Sequence, residues 1–229
     1  IKAIRWAAGL PVDGISLNPT PARVINLSLG GGGACSISEQ EAINAATTAG
    51  SIVVVAAGNS SQDLDQYQFA PANCNNVITI AATTQTGARA GFTNYGSTVE
   101  IAAPGDALRT TTLGGYVTVD GTSFATPIVS GIVSLMLSVN PVLEYNGVLA
   151  LLSNPAVANP FPPLSPTITS ACSSDIAATY YCGLGILDAA HAVHAALSIA
   201  PEVFSPLQPR RIADTRPSGL VSTSSPLII

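Results

Sequence analysis

The run Gly121-Thr122-Ser123-Phe124-Ala125-Thr126-Pro127 sets a hydroxyl between a glycine and small residues, where an extended pattern gives way to a helical one. Upstream, Tyr116 to Val119 reads as a strand; downstream, Ile128, Val129, Ile132, Val133, Leu135 and Met136 recur with the period of a helix apolar on nearly all sides. Ser123 therefore opens a helix, where backbone N–H groups lack intrahelical partners and the dipole favours an anion. Acyl transfer needs both an exposed hydroxyl and an unpaired donor for the developing oxyanion. Pro127 suits its place, because a donor there would bond back toward Ser123. The plainer role for such a serine is a helix cap.

A base for that hydroxyl is harder to find. His191 and His194 are the only histidines. With Gly121-x-Ser123-x-Ala125 as a nucleophile elbow and Asp175 or Asp188 as a third member, the order Ser, Asp, His would suit an α/β-hydrolase. Both histidines fall beside an alanine-rich helix start, off its apolar stripe, where solvent-facing imidazoles are usual. The spacing H-x-x-H lacks the i, i+4 geometry and the third ligand of a zinc site.

The elements that must position these groups alternate. Val24 to Leu27, Ser51 to Ala57, Val77 to Ala81 and Val99 to Ala103 read as strands buried on both faces. Ser38 and Glu41 form a capping box, Ala42, Ala45, Ala46 and Ala49 follow at helical spacing, and Gly50 supplies the stop. The fold class expected is α/β, three-layered, with a mostly parallel sheet and helices on both faces. Ligands of such sheets bind beyond the carboxyl ends of the strands. Gly30 and Gly31 end one strand, and Gly58 and Asn59 end the next. Gly9 to Arg23 reads as a surface loop, Pro155 to Pro166 as a proline-rich crossing, and Pro71 as a candidate cis bond. Residues 1–200 form the expected domain, and 201–229 read as a Pro- and Ser-rich linker or the start of an extension.

Only 9% of residues are charged, with a net charge of −5, and no basic cluster exists to neutralise phosphates, so nucleic acid is excluded as a partner. The apolar stretch from Gly121 to Leu143 is long enough to pose the question of a membrane span. Its recurring Ser, Thr, Pro and Asn residues favour a core helix instead. Four cysteines allow three disulfide connectivities or four buried thiols. Cys35 with Cys74 and Cys172 with Cys182 are the pairs close in sequence, and the first two flank carboxyl-side loops of the sheet. Bridges imply an oxidising compartment.

Taken in order, Val24-Ile25-Asn26-Leu27-Ser28-Leu29-Gly30-Gly31, Val55-Ala56-Ala57-Gly58-Asn59 and the Ser123 run resemble the substrate-binding strand, the oxyanion segment and the nucleophile motif of the subtilisin-like serine proteases. The closing segment Gly183 to Asp188 resembles the end of that family's catalytic domain. The resemblance implies a serine endopeptidase in which Ser123 attacks and the Ser123 N–H and Asn59 side-chain amide hold the oxyanion. Asparagine suits that task, with donors but no charge, although it is also a common turn residue. Ser28, Leu29, Gly30 and Gly31 would pair with an extended peptide. Ala56, Ala57 and Gly58 would line the primary specificity pocket, with Phe69 nearby, and the same small residues would equally serve helix–sheet packing. The implied pocket is roomy and apolar.

Likeness to the family also implies a structural calcium or sodium held by the Ala72 and Cys74 carbonyls with the Glu100 carboxylate, and no cofactor for catalysis. It implies protein or peptide substrates, a propeptide as a further partner, and secretion, since cysteines are similarly placed in secreted bacterial members. The family's triad aspartate and histidine precede the substrate-binding strand, so both are expected upstream of Ile1 and the chain alone is expected to be nearly inactive. A peptide-binding relative without catalysis is the other reading of the same cleft.

Overall fold

The computed structural model describes residues 1–165 and 171–199. In chain order the elements are α1 (Lys2–Ala7), β1 (Val24–Leu27), β2 (Gly31–Gly32), α2 (Ile37–Thr48), β3 (Ile52–Ala56), β4 (Phe69–Ala70), β5 (Val77–Thr83) and β6 (Ile101–Pro104). A hairpin of β7 (Leu108–Thr112) and β8 (Gly115–Val119) follows, then α3 (Thr122–Val139), α4 (Tyr145–Leu152), β9 (Ala158–Asn159), β10 (Ile186–Leu187) and α5 (Ala189–Ser198). The expected linker at 201–229 lies outside the described residues.

Six strands form one sheet in the order β1-β3-β5-β6-β10-β9, parallel throughout except for β9. Alternation along the central strands divides the core in two. Ile52, Val54, Ile78 and Ile80 pack with Val129, Val133 and Met136 of α3 and with Leu152 and Ala192. Val53, Val55, Val77 and Ala81 face the other way, onto Ile4, Ile43 and Ala46 of α1 and α2. This is the three-layer arrangement that fully apolar strands require, since both faces must be covered.

Two local expectations shift. The cap of α2 is Ser36, whose Oγ accepts the Glu39 N–H at 3.2 Å, not Ser38. The helix begins two residues early because Cys35 is anchored by its disulfide and Ser36 is already extended, so the first serine available takes the cap. The second shift concerns α3, which was expected to be covered on nearly all sides. Ala125, Val129, Val133 and Met136 are buried against the sheet, but Ile128 and Leu135 are exposed along a stripe on its outer face. By length and composition α3 could cross a membrane, yet half of it is buried inside the fold, as in a core helix.

Both expected disulfides form, Cys35–Cys74 and Cys172–Cys182, with Cα separations of 5.2 and 5.4 Å. The first closes 39 residues and the second 10. Loop-closure entropy predicts that breaking them costs about 4 and about 3 kcal/mol respectively. Thermal melts of Cys35→Ala/Cys74→Ala and Cys172→Ala/Cys182→Ala should rank in that order. The peptide between Ala70 and Pro71 is cis.

Candidate active site

Ser123 lies in the first turn of α3, and three strand ends meet it. Gly121, the N-cap, has φ +150° and donates its N–H to Gly105 O, just past β6, at 2.8 Å. A side chain at Gly105 would come within 2.8 Å of the Gly121 carbonyl, so the two chains touch. Ser28, just past β1, is joined to Ser123 twice: Ser123 Oγ donates to Ser28 O at 3.2 Å, and Ser28 Oγ donates to Ser123 O at 2.8 Å. The second bond follows from Pro127. A residue with an N–H at 127 would donate to Ser123 O in the normal helical way; proline cannot, and the Ser28 hydroxyl takes the vacant acceptor. Ser28 Oγ in turn accepts from Asn26 Nδ2, whose Oδ1 accepts from Ser130 Oγ on α3.

Asn59 follows β3 and reaches the same turn. Its Oδ1 accepts both the Thr122 N–H at 2.9 Å and the Thr122 hydroxyl at 2.7 Å. The buried Thr122 hydroxyl also accepts the Gly58 N–H at 3.2 Å. Because the oxygen of the amide is committed to a backbone donor, its nitrogen has only one orientation. Nδ2 lies beside the Gly121–Ser123 backbone, where a Cβ on Gly121 would stand 3.3 Å from it. No acceptor meets Asn59 Nδ2 or the Ser123 N–H among the described residues. Two unpaired donors therefore flank one hydroxyl at a helix N-terminus, an arrangement suited to an anion forming next to Ser123.

The remaining sequence candidates fall into place unevenly. Leu29 and Gly30 are exposed beyond β1, while Gly31 already pairs with Ala70 in the β2–β4 ribbon. Ala56, Ala57 and Gly58 are all buried at the end of β3. The Phe69 ring lies between the two glycine segments, its Cε1 2.4 Å from where a Gly30 Cβ would sit and 2.9 Å from that of Gly58. Glycine at both positions leaves space that the aromatic ring then fills.

The histidines are elsewhere. His191 and His194 are exposed on α5, and His191 Nδ1 lies 3.5 Å from Asp188, the N-cap of that helix. The His191 N–H holds the Asp188 carboxyl below its usual range. Asn140, at the far end of α3, donates to Ala196 of α5 at 3.0 Å, which fixes His194 near a point about 25 Å of helix from Ser123. Asp175 sits in a turn of the second disulfide loop. None of these groups bonds Ser123 among the described residues.

Glu100 opens β6, away from Ser123, and faces a cavity of about 180 Å³ lined by Ala72, Cys74, Thr79 and Thr98. Its carboxylate accepts the Thr79 N–H, meets no Lys, Arg or His among the described residues, and is pushed up to about 8 by burial. Thr98 Oγ1 is buried there without a partner.

Sequence reasoning missed Thr122 and Asn94. Thr122 stands inside the motif already singled out. Asn94, in Thr93-Asn94-Tyr95-Gly96, carries only the signature of a turn.

The chain is similar to known proteins over most of its length. The subtilase family model matches residues 1–185. An extracellular protease of Xanthomonas campestris is 43% identical over 205 residues, covering 86% of this chain and 32% of that protein. The alkaline serine exoprotease A of Vibrio alginolyticus is 39% identical over 142 residues, covering 62% of this chain and 26% of its own length. A solved protease from Pseudoalteromonas arctica superposes with a TM-score of 0.73 at 37% identity, covering 84% of this chain and 57% of that one. The chain thus spans about a third or less of the length of these curated relatives. With its three-layer sheet, a serine at the start of α3 and an asparagine locked beside it, the chain belongs to the subtilase family.

Proposed function

We propose that the protein carrying this chain is a secreted serine endopeptidase that cleaves peptide bonds through an acyl-enzyme on Ser123. The single observation that carries the reading is the pair of hydrogen bonds from Thr122 to Asn59 Oδ1, which turns Nδ2 toward the Gly121–Ser123 backbone, where the Ser123 N–H is also without an acceptor among the described residues. Ser123 Oγ adds to the scissile carbonyl as a base removes its proton, and the carbonyl oxygen becomes an anion held by the two donors. Collapse breaks the C–N bond, the leaving amine takes the proton, and water then hydrolyses the ester by the same steps reversed. The base is a histidine oriented by an aspartate, both supplied by residues outside this chain. The open outer edge of β1 and the exposed stripe on α3, both next to Ser123, supply a surface for a segment that carries them. The extended residues Ser28 to Gly30 would pair with substrate main chain.

A fluorophosphonate probe tests this. In the full-length protein it should label Ser123 and fail after Ser123→Ala. Labelling at another residue, or peptide binding without labelling, would overturn the reading, and the latter would indicate a binding relative.

The cavity at Glu100 fits a structural calcium or sodium ion, by a carboxylate that meets no cationic side chain among the described residues, the unpartnered Thr98 hydroxyl and the lining residues Ala72 and Cys74, whose carbonyls could join it. When bound, the ion would neutralise the carboxylate. Without it, the folded carboxyl keeps a proton up to about pH 8 that the unfolded chain sheds near pH 4.5. The native state then binds more protons, so stability falls as pH rises through that interval and levels above it. In chelator the Tm should follow this slope, calcium should flatten it, and Glu100→Gln should remove both the slope and the calcium response.

A further inference from the structure

We propose that Asn94 is a positioning residue that holds the Asn59 amide in place; the inference rests on the peptidase reading above. Asn94 lies between β5 and β6 and is fully buried. Its side chain reaches across the loop that follows β3. Oδ1 accepts the N–H of Ser60 at 2.9 Å and of Gln62 at 3.0 Å, and Nδ2 donates to Ala57 O at 2.8 Å. Its own N–H donates to Gly58 O at 2.9 Å.

One asparagine therefore grips residues 57, 58, 60 and 62, and Asn59 stands at the centre of that span. Ser61, the other residue not bonded to it, takes φ +51° and donates its N–H to Phe92 O at 2.8 Å. Gly58 lies flush on the clamp, since a Cβ there would come within 2.4 Å of Asn94 Nδ2. A buried amide costs free energy unless its hydrogen bonds are made, and here they are made only by one shape of the loop. A looser loop would still allow the fold, because the strands on either side are packed independently. It would not keep Nδ2 where the oxyanion forms, and a displacement of about 1 Å at such a group can cost about a hundredfold.

The test uses the full-length protein and a chromogenic peptide amide, with rates expressed per mole of folded protein. Asn94→Ala and the isosteric Asn94→Asp should each lower kcat about ten- to hundredfold while KM stays within about threefold. Asn94→Asp keeps the acceptor for Ser60 and Gln62 but sets a second oxygen against Ala57 O. Its activity relative to wild type should recover as pH falls and the new carboxyl regains a donor. In an Asn59→Ala background the same substitutions should change kcat less than about twofold, because the group being positioned is gone. Should Asn94→Ala not fold, Asn94→Asp carries the test. An unchanged kcat in folded Asn94→Asp, or a loss just as large in the Asn59→Ala background, overturns the proposal. Equal rates for wild type and Ser123→Ala would instead overturn the peptidase reading, and this inference with it.

Discussion

Ser123→Ala in the full-length protein should lower kcat toward a peptide amide by about a millionfold, with KM changed only a few fold. The magnitude is that found in subtilisin, a member of this family, for loss of its nucleophile. The structure explains why the fold should survive the change. Ser123 Oγ makes a single bond of 3.2 Å to Ser28 O, whereas the links that hold the turn are Gly121 N–H to Gly105 O and Ser28 Oγ to the Ser123 carbonyl. Neither involves the hydroxyl. Burst-phase and steady-state rates, read beside a thermal melt, would show the loss of turnover without a loss of Tm. A variant retaining more than about a thousandth of wild-type kcat would mean that another group does the chemistry.

Asn59→Asp should cost about a hundred- to a thousandfold in kcat, again with KM little changed. Subtilisin supplies this range too. Aspartate keeps an oxygen for the Thr122 N–H and hydroxyl, so the loop remains anchored. What changes is the face turned toward Ser123, where an N–H donor becomes a carboxylate oxygen that repels the developing anion. Asn59→Ala makes the contrast. It removes the donor and also leaves the Thr122 N–H and hydroxyl without their acceptor, at an added stability cost of about 1 to 3 kcal/mol. Matching kcat losses with different Tm values would separate the two functions of one side chain.

Much of this was legible in the chain because it rests on local pattern. Strands without charges, Ser51 to Ala57 and Val77 to Ala81 above all, matched a sheet buried on both faces, and the helix after Ser123 began at the expected place; Val24 to Leu27 did not match, because β1 is the edge strand and only Ile25 of it is buried. The cysteine pairs followed from sequence distance and loop position. Non-local geometry was not legible. Nothing in Ser36-Ile37-Ser38 says which serine caps, since the decision belongs to the disulfide beside it. Phe69 is far in sequence from Gly30, and only the pairing of β2 with β4 lays its ring in the space that two glycines leave. Asn94 reads as a turn residue because its partners lie more than thirty positions upstream.

The reciprocal bonds between Ser28 and Ser123 give the resting hydroxyl a latch. The carbonyl that holds it, Ser28 O, belongs to the open backbone along which an extended chain would be laid. A guest N–H arriving at that carbonyl competes for the same lone pairs, and the serine is turned loose as the guest settles. Docking and arming of the nucleophile would then be coupled, with the hydroxyl freed more fully when a guest takes up the Ser28 carbonyl.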